Sequence, residues 1–597
     1  MNEPIAVPPA PAAAPTEPID VESHRRFLGK VWQLAAPYWK SEEKGRAWTL
    51  LLATVGLTLF MVFMDVQFNL WQKNFYNSLE QKQESAFWSL LLYFCGLATV
   101  YIIAAVYQVY LASMLQMRWR AWLTRHYLAI WMKRDTFYRM ELQRTTDNPD
   151  QRISEDVRDF TGNTLNLTLG VINSVVTLVS FVGILWVVSG PLSFTLKGHA
   201  FTIPGYMVFA AIIYAIGGTF ITYYLGRPLI RLSNQQQQRE ADFRFGLMRI
   251  RENAEGVALY RGGANEAALS ADRFERVRLN WWGLMRYTKR LQFFTVGYTQ
   301  VAVVFPFWVA APRFFGGAIT LGQLMQIGSA FDSVRTSLSW FVTNYASREG
   351  LAAWKASVDR LLTFHSVVEQ ASALQAHGQM RVIPAGSSEG LTATGLQVDL
   401  PDGRPLIGET SLSIRRGDRV VISGPSGSGK STLFRALSGI WPFARGTLTA
   451  PPRAQTLFLP QKPYIPLGSL RNAVIYPGDP AGVDDGRIRE VLNAVRLSHL
   501  AARLDDEQNW SLELSPGEQQ RLAIARALLL QPAWVFLDEA TAALDEDTER
   551  HMYELLRQRL PGATLVSIAH RPQVAEFHNR RWRLHEGSLD TAASTVA

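Results

Sequence analysis

The chain contains a single cysteine, Cys95, and that residue lies inside an apolar run. A disulfide framework and a cysteine-based metal site are therefore excluded within one copy. The first 20 residues, MNEPIAVPPAPAAAPTEPID, have neither a basic start nor an apolar stretch, so they do not read as a secretory signal. Residues 1–22 are expected to be a disordered Pro/Ala-rich tail, and 591–597 a second short one. Aromatic side chains are scarce late in the chain: most of the 18 Trp, 31 Phe and 19 Tyr stand before residue 365, among long apolar runs. The region beyond residue 365 reads as a soluble α/β protein. At 597 residues the chain exceeds what one core organises, so two or more domains are expected. A formal charge of +9 fits a nucleic acid, a membrane surface or no particular partner. The basic residues crowd the loops between apolar segments, where anionic headgroups lie, which favours a phospholipid membrane and no nucleic-acid partner.

Six stretches have the roughly 20 mostly apolar residues that a bilayer core demands: 47–66, 87–111, 167–189, 205–225, 291–311 and 318–343. They make residues 47–365 a six-helix transmembrane domain. The last stretch is the least apolar, because it carries Gln323, Gln326, Asp332 and Arg335. Lys/Arg asymmetry orients the spans. Arg118, Arg120, Arg125, Lys133 and Arg134 belong to a dense basic connection between the second and third, and Arg227, Arg231, Arg239, Arg244 and Arg249 to another between the fourth and fifth. The other loops are poor, with Lys73, Lys82, Lys197 and Arg313, so both termini are placed in the cytoplasm. The two basic connections read as helices continuing out of the membrane, each with a tip able to touch another domain. Residues 23–46 mix basic side chains with Phe27, Trp32 and Trp39 and are expected to be an amphipathic helix in the membrane interface. Asp332 and Arg335, three apart on one helix face, either line an aqueous solute pathway or form a local ion pair. Asn69, Asn173 and Gln300 slightly favour a wet pathway, although each alone also serves as interhelical glue.

The second half carries specific chemistry. Asp418-Arg-Val-Val-Ile-Ser reads as a buried strand, and after it come Gly424, Pro425, Ser426, Gly427, Ser428, Gly429, Lys430, Ser431 and Thr432, then a helix. Strand, G-x-x-x-x-G-K-S and helix in that order form a phosphate-binding loop: glycines let the backbone wrap the phosphates, and the helix start adds partial positive charge. Lys430 is placed to reach the β- and γ-phosphates of a nucleotide and Ser431 to hold Mg²⁺. Ala533-Trp-Val-Phe-Leu-Asp538-Glu539 is an apolar strand ending in two carboxylates, with Asp538 placed to orient Mg²⁺ and Glu539 to polarise an attacking water. Leu514-Ser-Pro-Gly-Glu-Gln-Gln-Arg521 opens a helix where Ser515 and the Gly517 amide offer an anion site; an ordinary N-cap serine followed by Pro and Glu reads the same way.

Together these segments resemble an ATP-binding cassette (ABC) domain over roughly 385–590, with 366–384 as a linker. The resemblance implies that Gly424–Thr432 bind ATP with Mg²⁺ and that Ser515, Gly517, Glu518 and Gln519 are a signature motif. It also implies that Asp538 and Glu539 are the strand-end carboxylates, that Gln461 senses Mg²⁺, that Asp545 lies in the loop after them and that His570 contacts the γ-phosphate. Two departures stand out: Pro516 removes one amide from the signature, and Val398-Asp-Leu-Pro-Asp offers no aromatic for adenine stacking. Asn148–Asp156, Arg251–Gly262 and Phe305–Gly316 resemble the SbmA/BacA-like membrane domain, which occurs fused to such a cassette in bacterial transporters and is related to peroxisomal acyl-CoA half-transporters. The fold implied is an exporter-like α-helical membrane domain plus an α/β P-loop ATPase, in a bacterial inner membrane. A signature helix closes over the phosphate loop of another copy, so the resemblance implies a homodimer driven by ATP hydrolysis. By family it implies uptake of bulky hydrophilic solutes such as cobalamin or antimicrobial peptides. Movement of acyl-CoA or lipid-like compounds is the first alternative, and an ATP-gated channel or regulator the second.

Overall fold

The computed structural model describes residues 21–143, 148–196, 199–345, 350–376, 380–385 and 390–591. Of the expected tails, only Val21, Glu22 and Thr591 lie within the described residues. Two compact units form, Met1–Ala129 with Asp147–His365, and Ile130–Thr146 with Ser366–Ala597.

The first unit is helical. It begins with α1 (Val21–Trp39), α2 (Lys44–Glu80) and α3 (Glu84–Met132). After α4 (Thr136–Gln143), which belongs to the second unit, come α5 (Pro149–Gln151), a π-helical turn (Arg152–Asp156) and α6 (Val157–Ser189). An antiparallel hairpin of β1 (Pro191–Leu196) and β2 (His199–Pro204) leads to α7 (Tyr206–Glu252). Next are α8 (Ala254–Leu259), α9 (Gly263–Phe315), α10 (Leu321–Tyr345) and α11 (Leu351–Ala376). The 49 residues of α3 and the 53 of α9 make rods of about 74 and 80 Å at about 1.5 Å per residue. A bilayer core is about 30 Å thick, so these helices outrun it. By length and composition, five helices among the described residues can cross a membrane, those built on α2, α3, α6, α7 and α9. The sixth expected stretch, 318–343, is helical as α10 but too polar by the same measure, and it buries Ile327, Ala330, Phe331 and Val334 against α6 and α7.

Two expected boundaries are corrected. The interfacial helix read over 23–46 stops at Trp39, where Ser41 donates its hydroxyl to the Tyr38 carbonyl at 2.7 Å, and α2 starts at Lys44. One face packs on protein: Tyr38 is 0% exposed and stacks on Trp119 at 5.9 Å, while Trp39 meets Trp48 at 5.2 Å. The described residues of the linker read over 366–384 are regular structure, a helix to Ala376 and a strand from Met380. Buried Val358, Leu361, Phe364, Val368 and Ala371 keep helical spacing, so α11 runs on to Ala376, and β3 (Met380–Pro384) joins a sheet. A buried ionic knot holds α11 to the start of α6. Asp156 pairs with Arg152 one turn earlier and accepts from Arg360 Nε at 3.0 Å. Removing one partner from such a knot costs about 3–5 kcal/mol.

The second unit contains a four-stranded sheet in the order β3-β7-β4-β5, built with β4 (Leu391–Asp399), β5 (Pro405–Ile414) and β7 (Ala444–Ala450). A six-stranded sheet has the order β14-β13-β6-β12-β11-β8, from β6 (Arg419–Ser423), β8 (Thr456–Leu459), β11 (Trp534–Asp538), β12 (Thr564–Ile568), β13 (Arg580–His585) and β14 (Ser588–Asp590). The short strands β9 (Gly468–Ser469) and β10 (Glu507–Gln508) pair with each other. Helices α12 (Lys430–Leu437), α13 (Leu470–Ile475), α14 (Asp485–Ala494), α15 (Trp510–Glu513), α16 (Pro516–Leu530) and α17 (Glu546–Arg559) complete the unit. Runs such as WVFLD and TLVSI are apolar throughout because parallel strands are covered on both faces.

His578, 3% exposed, sits behind β12. Its Nδ1 lies 2.7 Å from the Val574 carbonyl and so carries the proton, leaving Nε2 to accept from the Ser567 hydroxyl at 2.9 Å. Burial pushes its pKa down from 6.5 to about 4. The unfolded chain therefore takes up this proton first as pH falls. The stabilisation is complete above the unfolded pKa of about 6.5 and is lost toward about 4, up to roughly 3 kcal/mol. The unfolding midpoint of the ATPase unit, followed by tryptophan fluorescence, is expected to drop as pH falls through that interval, and His578→Gln to flatten the drop.

Candidate active site

Four neighbouring strands, β6, β12, β11 and β8, run parallel, so their carboxyl ends open along one edge of the sheet. The register sets Asp538 opposite Ile568, Ile568 opposite Ile422, and Leu537 opposite Leu459. Gly424, Gln461, Glu539 and His570 each follow one of these strand ends within two residues. Strand pairing thereby gathers groups that the sequence scatters from 424 to 570.

The phosphate loop turns on glycine. Gly429 has φ 98° and starts α12, and a Cβ there would lie 2.9 Å from the Leu406 side chain; one on Gly424 would lie 2.2 Å from the Leu584 carbonyl. Pro425 and Ser426 are exposed at the loop crest, and Thr432 is half-buried in the first turn of α12. Buried Lys430 curls back, donating to the carbonyls of Gly424 at 2.9 Å and Pro425 at 2.7 Å. Burial lowers its pKa, with Glu539 and Asp538 opposing that shift. The Ser428 hydroxyl is buried without a hydrogen-bond partner. An orphaned hydroxyl, an ammonium and the amides of a helix start suit a chain of phosphates.

Ser431 Oγ donates to Asp538 Oδ1 at 3.0 Å. Burial raises the Asp538 pKa, and the Ser431 bond works against it. With the carbonyl oxygen of the Gln461 amide, these are the oxygen donors that suit Mg²⁺, whose remaining sites go to phosphate and water. Glu539 has φ 48°, a left-handed turn anchored by its N–H on the Ile568 carbonyl at 3.1 Å. Its Oε1 lies 2.8 Å from His570 Nε2, and its Oε2 accepts from Gln461 Nε2 at 2.9 Å. A carboxylate aimed by two partners can take a proton from a water beside a bound γ-phosphate. Sequence reading missed Gln520, which ties the site together: it donates to the Gln461 carbonyl at 3.1 Å and accepts from the Ala543 N–H at 2.8 Å. Its only sequence signal is a buried polar position inside the first turns of α16.

The signature residues stand apart. Ser515 caps α16 in a reciprocal box with Glu518: the Ser515 N–H donates to Glu518 Oε2 at 2.9 Å, and the Glu518 N–H to Ser515 Oγ at 3.4 Å. Burial raises the Glu518 pKa, but the Ser515 bonds outweigh it and the net shift is downward. Gln519 donates to the Leu514 carbonyl at 2.9 Å, Gly517 packs beside the Ala543 carbonyl, and Asp545 caps α17 by accepting from the Thr548 N–H at 2.9 Å. Among the described residues, no hydrogen bond or ion pair joins 515–519 to 424–432.

One of the two expected tips belongs to this unit. The turn before α4 puts Arg134 at φ 51° and Asp135 at φ 59°, and Asp135 meets Arg453 at 3.2 Å. Leu142 packs on the sheet core, and Tyr138 lines a cavity of about 730 Å³ that extends to Ser431 and Asp538. The other tip, around α8, leaves Leu259 and Tyr260 76% and 90% exposed.

In the helical unit Asp332 and Arg335 form the local ion pair, at 2.6 Å, with Arg335 over the Tyr298 ring at 5.7 Å. Asn69 and Gln326 are interhelical glue, the Gln326 amide donating to Asn69 Oδ1 at 3.0 Å, and Gln300 is exposed. Asp65, half-buried within α2, is a further polar group of the spans that sequence reading missed; its signal is a lone carboxylate in the first apolar stretch.

Residues 34–315 match the family model described as ABC transporter transmembrane region 2, and residues 407–542 the one described as ABC transporter. The chain is 33% identical to the inner membrane ABC transporter ATP-binding protein YddA of Escherichia coli (strain K12), over 95% of this chain and 98% of that one. It is 30% identical to the lysosomal cobalamin transporter ABCD4 of Homo sapiens, over 96% of each. A solved bacterial Atm1-family ABC exporter with ATP bound shares the fold, with a TM-score of 0.66 at 18% identity, covering 91% of this chain and 94% of that one. Matched end to end by transporters that join spanning helices to a nucleotide cassette, this multi-pass membrane protein belongs to the ABC transporter family and is an ATPase coupled to transport.

Proposed function

We propose that two copies of the chain form a half-transporter dimer in a bacterial inner membrane, with six spans per copy and both termini cytoplasmic, importing bulky hydrophilic solutes. The observation that carries the hydrolytic part is Glu539 held between Gln461 and His570 beside the phosphate loop. Glu539 accepts a proton from water as the water oxygen bonds to the γ-phosphorus, and the bond to the bridging oxygen breaks, giving ADP and phosphate. Lys430 leaves its loop carbonyls for the β- and γ-phosphates. Ser431, Asp538 and Gln461 would hold Mg²⁺, which neutralises charge on those oxygens when bound. His570 positions the γ-phosphate. Ser515–Gln519 bond within their own helix region, which supports their closing over the phosphates of the partner copy. Nucleotide-driven closure then reaches the membrane through the turn at Asp135 and Tyr138, which touches the ATPase next to the Mg²⁺ donors. Hydrophilic cargo is supported by the similarity to a lysosomal cobalamin transporter.

Glu539→Gln is expected to bind ATP but release phosphate at least ~100-fold more slowly, and full turnover in that variant would remove the base. Lys430→Ala is expected to weaken ATP binding roughly 10- to 100-fold, the worth of a charge-assisted contact, read by fluorescent-nucleotide titration. ATP-dependent uptake into vesicles of known orientation is expected for cobalamin or a proline-rich peptide; flux of palmitoyl-CoA alone, or flux without ATP, rejects the cargo reading.

A further inference from the structure

A cavity of about 380 Å³ with a mixed polar and apolar lining lies among α2, α3 and α6, helices that are otherwise largely apolar. Its polar lining is Thr58, Gln108, Ser113, Gln116, Asn166 and Asn173, and no charged side chain borders it. Spacing builds it: Gln108 and Gln116 share one face of α3, and Asn166 and Asn173 one face of α6. Gly162 makes the room for Gln116, since a Cβ there would lie 2.8 Å from the Gln116 amide nitrogen. Gln108 reaches Thr58 Oγ1 only at 3.5 Å, and Gln116, Asn166 and Asn173 have no hydrogen-bond partner among the described residues. Asn166 and Asn173 are exposed. Unpaired carboxamides persist at membrane depth where water or a ligand meets them. Asn69, by contrast, is held between helices by both the carbonyl and the side-chain amide of Gln326.

We propose that this cavity is a solute subsite taking neutral groups rich in carboxamides and hydroxyls, an inference that rests on the chain importing hydrophilic solutes. Each carboxamide both donates and accepts, so four of them match amides and hydroxyls in either direction. No fixed charge is there to hold a phosphate, and an alkyl chain, though it could pack on Met61, Val109, Leu165 and Leu169, would leave the four carboxamides unpaired. A volume near the lower end of ligand pockets holds one edge of a bulky solute.

The test uses the full chain in lipid nanodiscs, with Cys95→Ser as background and single cysteines introduced by Ser113→Cys, Asn173→Cys and, on an apolar exposed face of α6, Val179→Cys. A hydrophilic maleimide is expected to label the first two about tenfold faster than the third, because a thiol must ionise in water to react. Cyanocobalamin or a capped, uncharged proline-rich peptide is expected to slow that labelling, and palmitoyl-CoA at the same concentration is not. Gln108→Leu combined with Gln116→Leu is expected to abolish the protection while Asn173→Cys still labels fast. Labelling no faster than at Val179→Cys, or equal protection by palmitoyl-CoA, overturns the subsite. Uptake without protection overturns the subsite and spares the transport reading; protection in vesicles that show no ATP-driven uptake supports the subsite and overturns that reading.

Discussion

Parallel pairing of β8, β11, β12 and β6 is the constraint on which the chemistry of this molecule rests. Because each strand end faces the same edge in fixed register, Gln461, Glu539, His570 and the phosphate loop converge without any of them being neighbours in sequence. The strands hold that register because apolar residues on both faces are buried. Leu537, Phe536 and Val566 are fully buried, and a one-residue slip would turn Glu539 away from its partners. Apolar burial of this kind, about 1.5–3 kcal/mol for each large side chain, fixes the position of a carboxylate that contributes little to stability itself.

Around this edge, polar residues act as braces more than as reactants. Gln520 spans from the Gln461 carbonyl to the Ala543 N–H, and Thr541 bonds Glu549, which in turn pairs with Arg571 beside His570. These contacts couple the loops after β8, β11 and β12, so a change at one is felt at the others. The turn at Arg134 and Asp135 stands close to this edge, since its neighbour Tyr138 lines the cavity that Ser431 and Asp538 also border.

The helical unit is organised differently. Some of its polar groups are satisfied, such as Asn69 by Gln326 and Asp156 by Arg152 and Arg360; others have no hydrogen-bond partner among the described residues, including the buried Tyr206 hydroxyl and Gln326 Oε1 as well as the carboxamides beside one cavity. The bonded pairs hold segments together, whereas the cavity carboxamides are open to solvent or cargo. Asp332 and Arg335 belong with the satisfied set, as their mutual bond shows.

The phosphate loop, the strand-end carboxylates, the capping role at Ser515 and the run of apolar helices were all legible in the bare chain, because each depends on residues that are near one another along it. Local spacing also carried the long helical connections. It misplaced the ends of the helix read over 23–46 and the linker read over 366–384, where packing of Tyr38 on Trp119 and a buried stripe through Ala371 outweighed the charge pattern. Folding was needed to establish that Gln520 bridges the site, that Asp332 and Arg335 are partners, and that Thr58, Gln108 and Asn173 face one cavity. Those outcomes depend on which helix faces meet and on strand order, and contacts between distant segments leave no period in a single sequence.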